Sequence, residues 1–175
     1  MNIGIRQFTE QDALPFHQAV LESVAHVSKW LPWCSEAYSL DDAKMWTSSA
    51  RTCWDNGTDY RFVIEDKDSS RILGSVGINH VDTQHKVGNL GYWVRTSALN
   101  QGVCTEAATL VADKAFKDLG FQRLEVHVLT ENAGSNAVAQ KIGGIHEGAL
   151  RNKLMLNGVS LPANCYSLIP SDYGY

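Results

Sequence analysis

The chain has 175 residues, of which 44% are hydrophobic and 19% charged, so it can bury a core and should not be disordered. That length favours one domain over residues 1–175. The net charge of −4 at pH 7 argues against a general nucleic-acid binder, because neutralising phosphates requires a basic face.

The cysteines and the apolar segments indicate the cellular environment of the protein. The spacings of Cys34, Cys53, Cys104 and Cys165 match neither a zinc site nor a disulfide framework, so we expect reduced thiols and no metal. The N-terminus lacks the apolar run of a signal peptide, and no stretch is apolar for 18 residues. We therefore expect a soluble, cytoplasmic protein without a membrane partner.

The first third is predicted to form a strand and two helices. The strand fits residues 3–8, and apolar side chains then recur at helical spacing from Leu14 to Leu31. Pro15 lacks a backbone N–H, so we expect a break or kink there. Ser39 marks the start of a second helix and Gly57 its end.

The segment Trp30-Leu31-Pro32-Trp33 joins these two helices as a loop. Two indoles beside a proline are costly to leave in water. The loop therefore either folds onto its own core or forms a wall of a substrate groove, and the residues alone leave both open.

The rest of the chain alternates strands and helices. Strands are predicted at 60–66, 72–81, 87–95 and 123–130, helices at 105–119 and 135–142, and an Asn157-Gly158 turn between two final strands. The order β-α-α-β-β-β-α-β-α-β-β predicts an α/β layer structure with a mixed sheet.

Two stretches carry the chemistry. In the first, Gly91-Tyr92-Trp93-Val94 leads into a loop that opens the helix after Gly102, and a helix start binds anions through unpaired N–H groups and its dipole. Glycine there lets a phosphate approach the backbone. In the second, Asn132 and Ser135 flank another helix start, where simple capping is an open alternative.

Together these stretches resemble the GNAT superfamily of acetyltransferases, and within it the Rim-type enzymes that acetylate ribosomal-protein N-termini, the serine acetyltransferases above all. The matching residues are Gly91-Tyr92-Trp93, Gly102, Thr105-Glu106-Ala107, Asn132, Ser135, Lys141 and Glu147-Gly148. The resemblance covers roughly residues 3–169. It implies a single domain with a GNAT-like acyl-CoA N-acyltransferase fold, in which a mixed, mostly antiparallel sheet is splayed in the middle and carries helices on both faces.

The sequence departs from the family pattern at four positions. Leu99 stands where the phosphate loop usually begins with Gln or Arg, and Cys104 replaces Gly or Ala. Gly144 replaces a common Phe, so we expect looser packing under the last strands. Pro162 stands where relatives often carry Asp, a difference on the substrate side.

The resemblance implies acetyl-CoA as co-substrate and no metal. It assigns cofactor binding to Trp93, Val94, Gln101, Gly102, Val103, Cys104, Thr105, Asn132 and Asn136. The pantetheine arm would lie between the strands 92–94 and 123–130, and an N–H near Trp93 or Val94 would stabilise the oxyanion. Ser135 would be the catalytic donor to the leaving sulfur, whose thiol pKa near 8.5 demands only a hydrogen bond.

The acceptor stays open at this stage. An α-amine with a pKa of about 7.7–8.0 needs less help than lysine near 10.4, so a carboxylate acting through water suffices. Candidate bases are Asp59, Glu65, His80 and Asp82, and Trp30 and Trp33 would line the acceptor groove. The alternatives are a ribosomal-protein N-terminus, a small amine such as a polyamine, amino acid or antibiotic, and a non-catalytic acyl-CoA-binding module. A homodimer through an exposed sheet edge is compatible with each.

Overall fold

A seven-stranded sheet organises the computed structural model, which describes residues 1–175. The strands are β1 (Ile3–Gln7), β2 (Tyr60–Asp66), β3 (Arg71–Asp82), β4 (Val87–Val94), β5 (Arg123–Leu129), β6 (Ile145–Leu156) and β7 (Val159–Leu168). The helices are α1 (Ala13–Val27), α2 (Leu40–Asp55), α3 (Val103–Lys117) and α4 (Ala133–Lys141). The sheet order is β1-β2-β3-β4-β5-β7-β6, and only β4 and β5 run parallel.

Each face of the sheet buries its own apolar cluster, because successive strand side chains point to opposite faces. The cluster under α3 and α4 includes Phe62, Ile78, Leu90, Val111, Val126 and Leu168. The cluster under α1 and α2 includes Phe16, Val20, Val63, Ala43 and Trp93. The predicted fold class, a mixed and mostly antiparallel sheet with helices on both faces, is confirmed.

The sheet opens between its two parallel strands. β4 and β5 are paired only at Val87 with Arg123, Gly88 with Leu124 and Asn89 with Glu125. Beyond this point the side chain of Asn89 replaces the backbone of β4 as the acceptor, since its Oδ1 accepts a hydrogen bond from the His127 backbone N–H at 3.4 Å. The remainder of β4 and β5 diverges, which leaves a wedge-shaped gap and confirms the predicted splay.

Pro15 does not break the first helix, so the expected kink is wrong. α1 begins at Ala13 after a 3-10 turn at Glu10–Asp12. Pro15 therefore lies in the first turn of α1, where a backbone N–H has no intrahelical acceptor and none is lost.

Gly144 does not loosen the packing beneath the last strands, and that expectation is also wrong. A Cβ on Gly144 would lie 2.6 Å from the carbonyl oxygen of Ala139 and 3.1 Å from the Cβ of Tyr166. The Gly144 N–H donates to the same Ala139 carbonyl at 3.0 Å. The backbone approaches α4 too closely for any side chain.

Pro162 occupies an irregular part of the final hairpin. The pairing of β6 with β7 shifts register between Leu150 and Leu154, opposite this residue. Proline is tolerated at a bulge because no ladder hydrogen bond is lost there.

No helix of the chain is long and apolar enough to cross a bilayer.

Replacing Gly144 with alanine tests the close approach. We expect Gly144→Ala to lower the free energy of unfolding by about 1–3 kcal/mol, because the new methyl group overpacks against the Ala139 carbonyl. Urea denaturation measures it. The control is Gly134→Ala in α4, where the nearest heavy atom to a new Cβ lies 3.9 Å away. An unchanged stability for Gly144→Ala would contradict the packing described.

Candidate active site

The edge of β4 presents unpaired backbone groups to the gap. Arg95 N donates to Leu73 O of β3 at 2.7 Å, so by strand alternation Trp93 also faces β3, while the N–H groups of Tyr92 and Val94 face the gap. The carbonyl of Val94 is the exception, because it accepts a hydrogen bond from His26 Nε2 of α1 at 3.1 Å.

The start of α3 is a second concentration of free donors. Gly102 caps the helix with a φ of 78°, the left-handed conformation that favours glycine. The first helical hydrogen bond runs from Glu106 N to Gly102 O at 3.0 Å, and the backbone amides from Gln101 to Thr105 donate to no protein group. Nothing lies within 4 Å of a Cβ placed on Gly102. The turn can therefore hold an anion against bare backbone.

Side chains around this turn anchor it. Gln101 Nε2 donates to Ser97 O at 2.8 Å, and Val103 is buried in the core under α3. Burial raises the pKa of the Cys104 thiol to about 12. Cys104 is therefore a neutral thiol at physiological pH and has no nucleophilic character.

The start of α4 lies across the gap. Asn132 caps the helix, since its Oδ1 accepts from Ser135 N at 3.1 Å. The Ser135 hydroxyl donates to the Tyr92 hydroxyl at 3.3 Å, and Tyr92 in turn donates to the Ser135 carbonyl at 3.0 Å. Ser135 and Tyr92 thus form a hydrogen-bonded pair between α4 and β4, and the role of Tyr92 was missed at the sequence level.

Asn136 serves as a structural anchor. Its Nδ2 donates to the carbonyls of Leu129 and Asn132, while its Oδ1 accepts from Asn164 and the Tyr166 hydroxyl. All of these partners belong to the protein. Asn136 therefore fixes α4 onto β5 and β7 and has little capacity left for a ligand.

An aromatic group borders the gap on the face of the sheet that carries α1 and α2, called here the α1/α2 face. The Trp33 ring lies 5.8 Å from both Trp93 and Tyr38, and Trp33 is 43% exposed. Trp93 is buried against Phe16 of α1, so its ring points away from α3. Trp30 is half-buried after α1 and makes none of these ring contacts.

Sequence comparison decides what this arrangement is. The acetyltransferase (GNAT) domain family matches residues 2–145. The chain belongs to the GNAT family. It is an N-acetyltransferase that uses acetyl-CoA as its acetyl donor.

Individual relatives agree at low identity. The chain is 22% identical to the ribosomal-protein-serine acetyltransferase of Escherichia coli, covering 96% of this chain and 93% of the relative. It is 27% identical to the spermidine N(1)-acetyltransferase of the same species, covering 90% and 80%. The structure of Mycobacterium smegmatis RimJ in complex with a CoA disulfide superposes with a TM-score of 0.90 at 24% identity, covering 99% of this chain and 84% of that one.

The four candidate bases are poorly placed in this GNAT enzyme. Asp59 and Glu65 lie at or on β2, two strands from β4, and each is paired with an arginine at 2.7 Å. His80 and Asp82 lie at the far end of β3, where β4 and β5 are still paired. None of the four lines the open part of the gap.

A polar cluster on β5 and β7 was not predicted from the sequence. Glu125, His127 and Cys165 each place one polar side-chain atom within 4.8 Å of the others. Strand alternation puts them on the α1/α2 face, opposite the buried Val126. The period-2 pattern of β5 could have identified the face, but only the pairing of β5 with β7 brings Cys165 there.

A variant at Gly102 tests the anion site. We expect Gly102→Val to weaken acetyl-CoA binding at least about tenfold, ~1.4 kcal/mol, because a branched side chain fills the open space over the turn and disfavours its backbone conformation. Titration calorimetry measures the affinity. Gly120→Val is a matched control, since Gly120 has a φ of 72° and an equally open Cβ position beyond the other end of α3. Equal affinity in both variants would remove the site from this turn.

Proposed function

We propose that the enzyme acetylates the N-terminal α-amine of a protein, with a ribosomal protein as its substrate. The amine attacks the acetyl-CoA thioester directly. The observation that carries this proposal is the α1/α2 face beside the gap, which is aromatic at Trp33 and Trp93 and on which Arg123 and Lys153 balance the carboxylates of Glu125 and Glu147. The ribosomal-protein acetyltransferases among the relatives support the same substrate class.

The charge near the gap favours an N-terminal α-amine over a polyamine as the acceptor. A polycation is bound most readily by carboxylates without internal partners. Here Glu125 and Glu147 share Arg123, and Lys153 adds a second positive charge to the same cluster. Those carboxylates offer little net attraction for a chain of ammonium groups. An α-amine carries one charge and gives it up near neutral pH.

The cofactor follows from the free donors around the gap. The pyrophosphate of acetyl-CoA lies on the amides from Gln101 to Thr105, and the pantetheine arm pairs with the open edges of β4 and β5. Asn132 bonds the pantetheine amide through its side-chain nitrogen, since its oxygen caps α4. The Val94 N–H stabilises the oxyanion. Trp93, Val103, Cys104 and Asn136 support this site by packing and by fixing α4.

Ser135 stabilises the departing sulfur. Its hydroxyl belongs to the first turn of α4, faces the gap and donates to Tyr92. Rotation of the hydroxyl hydrogen redirects that bond to a thiolate without moving the helix. Tyr92 then acts as a second donor held next to it.

A small-amine acceptor is the alternative, and the similarity to spermidine N(1)-acetyltransferase favours it. The non-catalytic module is not retained, because the chain is an acetyltransferase.

We further propose that residues 1–175 form one domain and act in the cytoplasm, which the four free cysteines support. The exposed edge strand β6 supports a homodimer.

A substrate screen tests the acceptor class. Release of free thiol from acetyl-CoA is followed with peptides that begin with Ser, Ala or Met, and with spermidine. We expect kcat/KM for the best peptide to exceed that for spermidine at least about tenfold, because Arg123 and Lys153 already balance the carboxylates near the gap. The same peptides with blocked N-termini and a free internal lysine are the control. Turnover of spermidine alone would establish the small-amine alternative.

Replacing the hydroxyl of Ser135 tests its role. We expect Ser135→Ala to lower kcat about 10–100-fold with an unchanged affinity for acetyl-CoA, which corresponds to one lost hydrogen bond to a charged group. Stopped assays of thiol release measure kcat. Ser171→Ala, at an exposed serine near the C-terminus, is the control. Full activity of Ser135→Ala would show that Ser135 has only a structural role in α4.

A further inference from the structure

The polar cluster of Glu125, His127 and Cys165 begins where the gap begins. Asn89 and Glu125 form the last pair between β4 and β5, and His127 is the next residue of β5 on the same face. Its backbone N–H is bonded to Asn89 Oδ1 at 3.4 Å. Gly91, two residues farther along β4, has open space where a side chain would stand. The imidazole therefore lies at the vertex of the wedge.

The two ring nitrogens of His127 have different surroundings. The side chain is only 10% exposed, and Nε2 is buried 3.0 Å from a carboxylate oxygen of Glu125. Nδ1 has no hydrogen-bond partner in the protein and, unlike Nε2, is not shut off from solvent. Nδ1 is therefore the ring nitrogen that a ligand in the gap can reach, while Nε2 faces Glu125.

Glu125 is held in place by a second pair. Arg123 Nε donates to Glu125 Oε1 at 2.9 Å, while the Arg123 guanidinium also binds Glu147 through both of its terminal nitrogens. The carboxylate oxygen next to His127 is Oε2. Glu125 is thus oriented so that one oxygen lies beside the imidazole, where it can stabilise an imidazolium.

We propose that His127 is the catalytic base of the acetyl transfer and that Glu125 is its positioning residue. The neutral amine forms a bond to the thioester carbon, and the carbonyl becomes an oxyanion. A proton passes from the amine nitrogen to His127 Nδ1, directly or across one water molecule. The oxyanion then re-forms the carbonyl as the carbon–sulfur bond breaks, and CoA leaves as a thiolate. The imidazolium finally releases its proton to water, and the thiolate is free to protonate.

The surroundings of His127 keep it neutral before the reaction. Burial lowers its pKa from the ordinary 6.5, and Lys153 of β6 and His80 of β3 lower it further, while Glu125 on its own strand opposes them. Cys165 of β7 packs beside it, and burial raises the pKa of that thiol. With a lowered pKa, the imidazole accepts protons throughout the neutral range and loses this capacity only as the pH falls below 6.5.

The inference rests on amine acetylation and holds for either acceptor class proposed above. The assay therefore uses whichever amine releases thiol in the substrate screen. We expect His127→Gln to lower kcat about 100-fold or more, with the affinity for acetyl-CoA unchanged. His85→Gln is the matched control, since His85 is an exposed histidine in the turn between β3 and β4. Free imidazole is expected to restore part of the activity of His127→Ala and to leave that of His85→Gln unchanged.

The pH profile gives a readout that a structural role would not move. kcat/KM of the unaltered enzyme is measured with two acceptors whose amine pKa values differ. An acidic limb whose midpoint is the same with both acceptors reports an ionisation of the enzyme. We expect that midpoint to lie below pH 6.5 and the limb to be absent from the profile of His127→Gln. Its midpoint should equal the His127 pKa obtained by NMR titration of the imidazole in the unaltered enzyme, which needs no variant.

Three outcomes would overturn the assignment. The first is a His127→Gln enzyme with unchanged kcat and an unchanged acidic limb. The second is an NMR pKa for His127 that differs from the fixed kinetic limb, a result that stands even if the variants do not fold. The third is activity lost on chelator treatment and regained with Zn²⁺, which would make the cluster a metal site. Each leaves the acceptor class, decided by the separate screen, untouched.

Discussion

The pairing of β4 with β5 stops after Asn89, and every other feature of the active site depends on that stop. Two adjacent parallel strands would normally continue their ladder, because unpaired backbone groups cost free energy. Here the Asn89 side chain accepts the next amide of β5, so the ladder ends without leaving that donor unpartnered. β5 remains in the sheet because its other edge is paired with β7 from Leu124 to Leu129.

The two faces of the sheet present different groups to the gap. On one face, the free amides at the start of α3 and the Ser135–Tyr92 pair offer donors to an anionic, sulfur-bearing ligand. On the other face, Trp33 and His127 offer an apolar surface and a proton acceptor. Under the proposed roles of these residues, the acetyl donor and the amine approach from opposite sides and meet only in the gap.

Much of this could be predicted from the sequence, because strand and helix periodicities are local. The order of all eleven strands and helices was correct, and Gly102 was correctly expected at the turn that opens α3. The Pro15 and Gly144 expectations failed because each depended on the exact position of the residue relative to a helix. His127 was missed because its neighbours come from strands distant in sequence, and periodicity carries no information on such pairing.

His26 links the two halves of the site. Its Nε2 donates to the Val94 carbonyl in the gap, and its Nδ1 lies 2.9 Å from Thr96 Oγ1, just before the loop that opens α3. His26 thus anchors α1, the helix that precedes Trp33, both to β4 at the gap and to the segment that leads into the α3 loop.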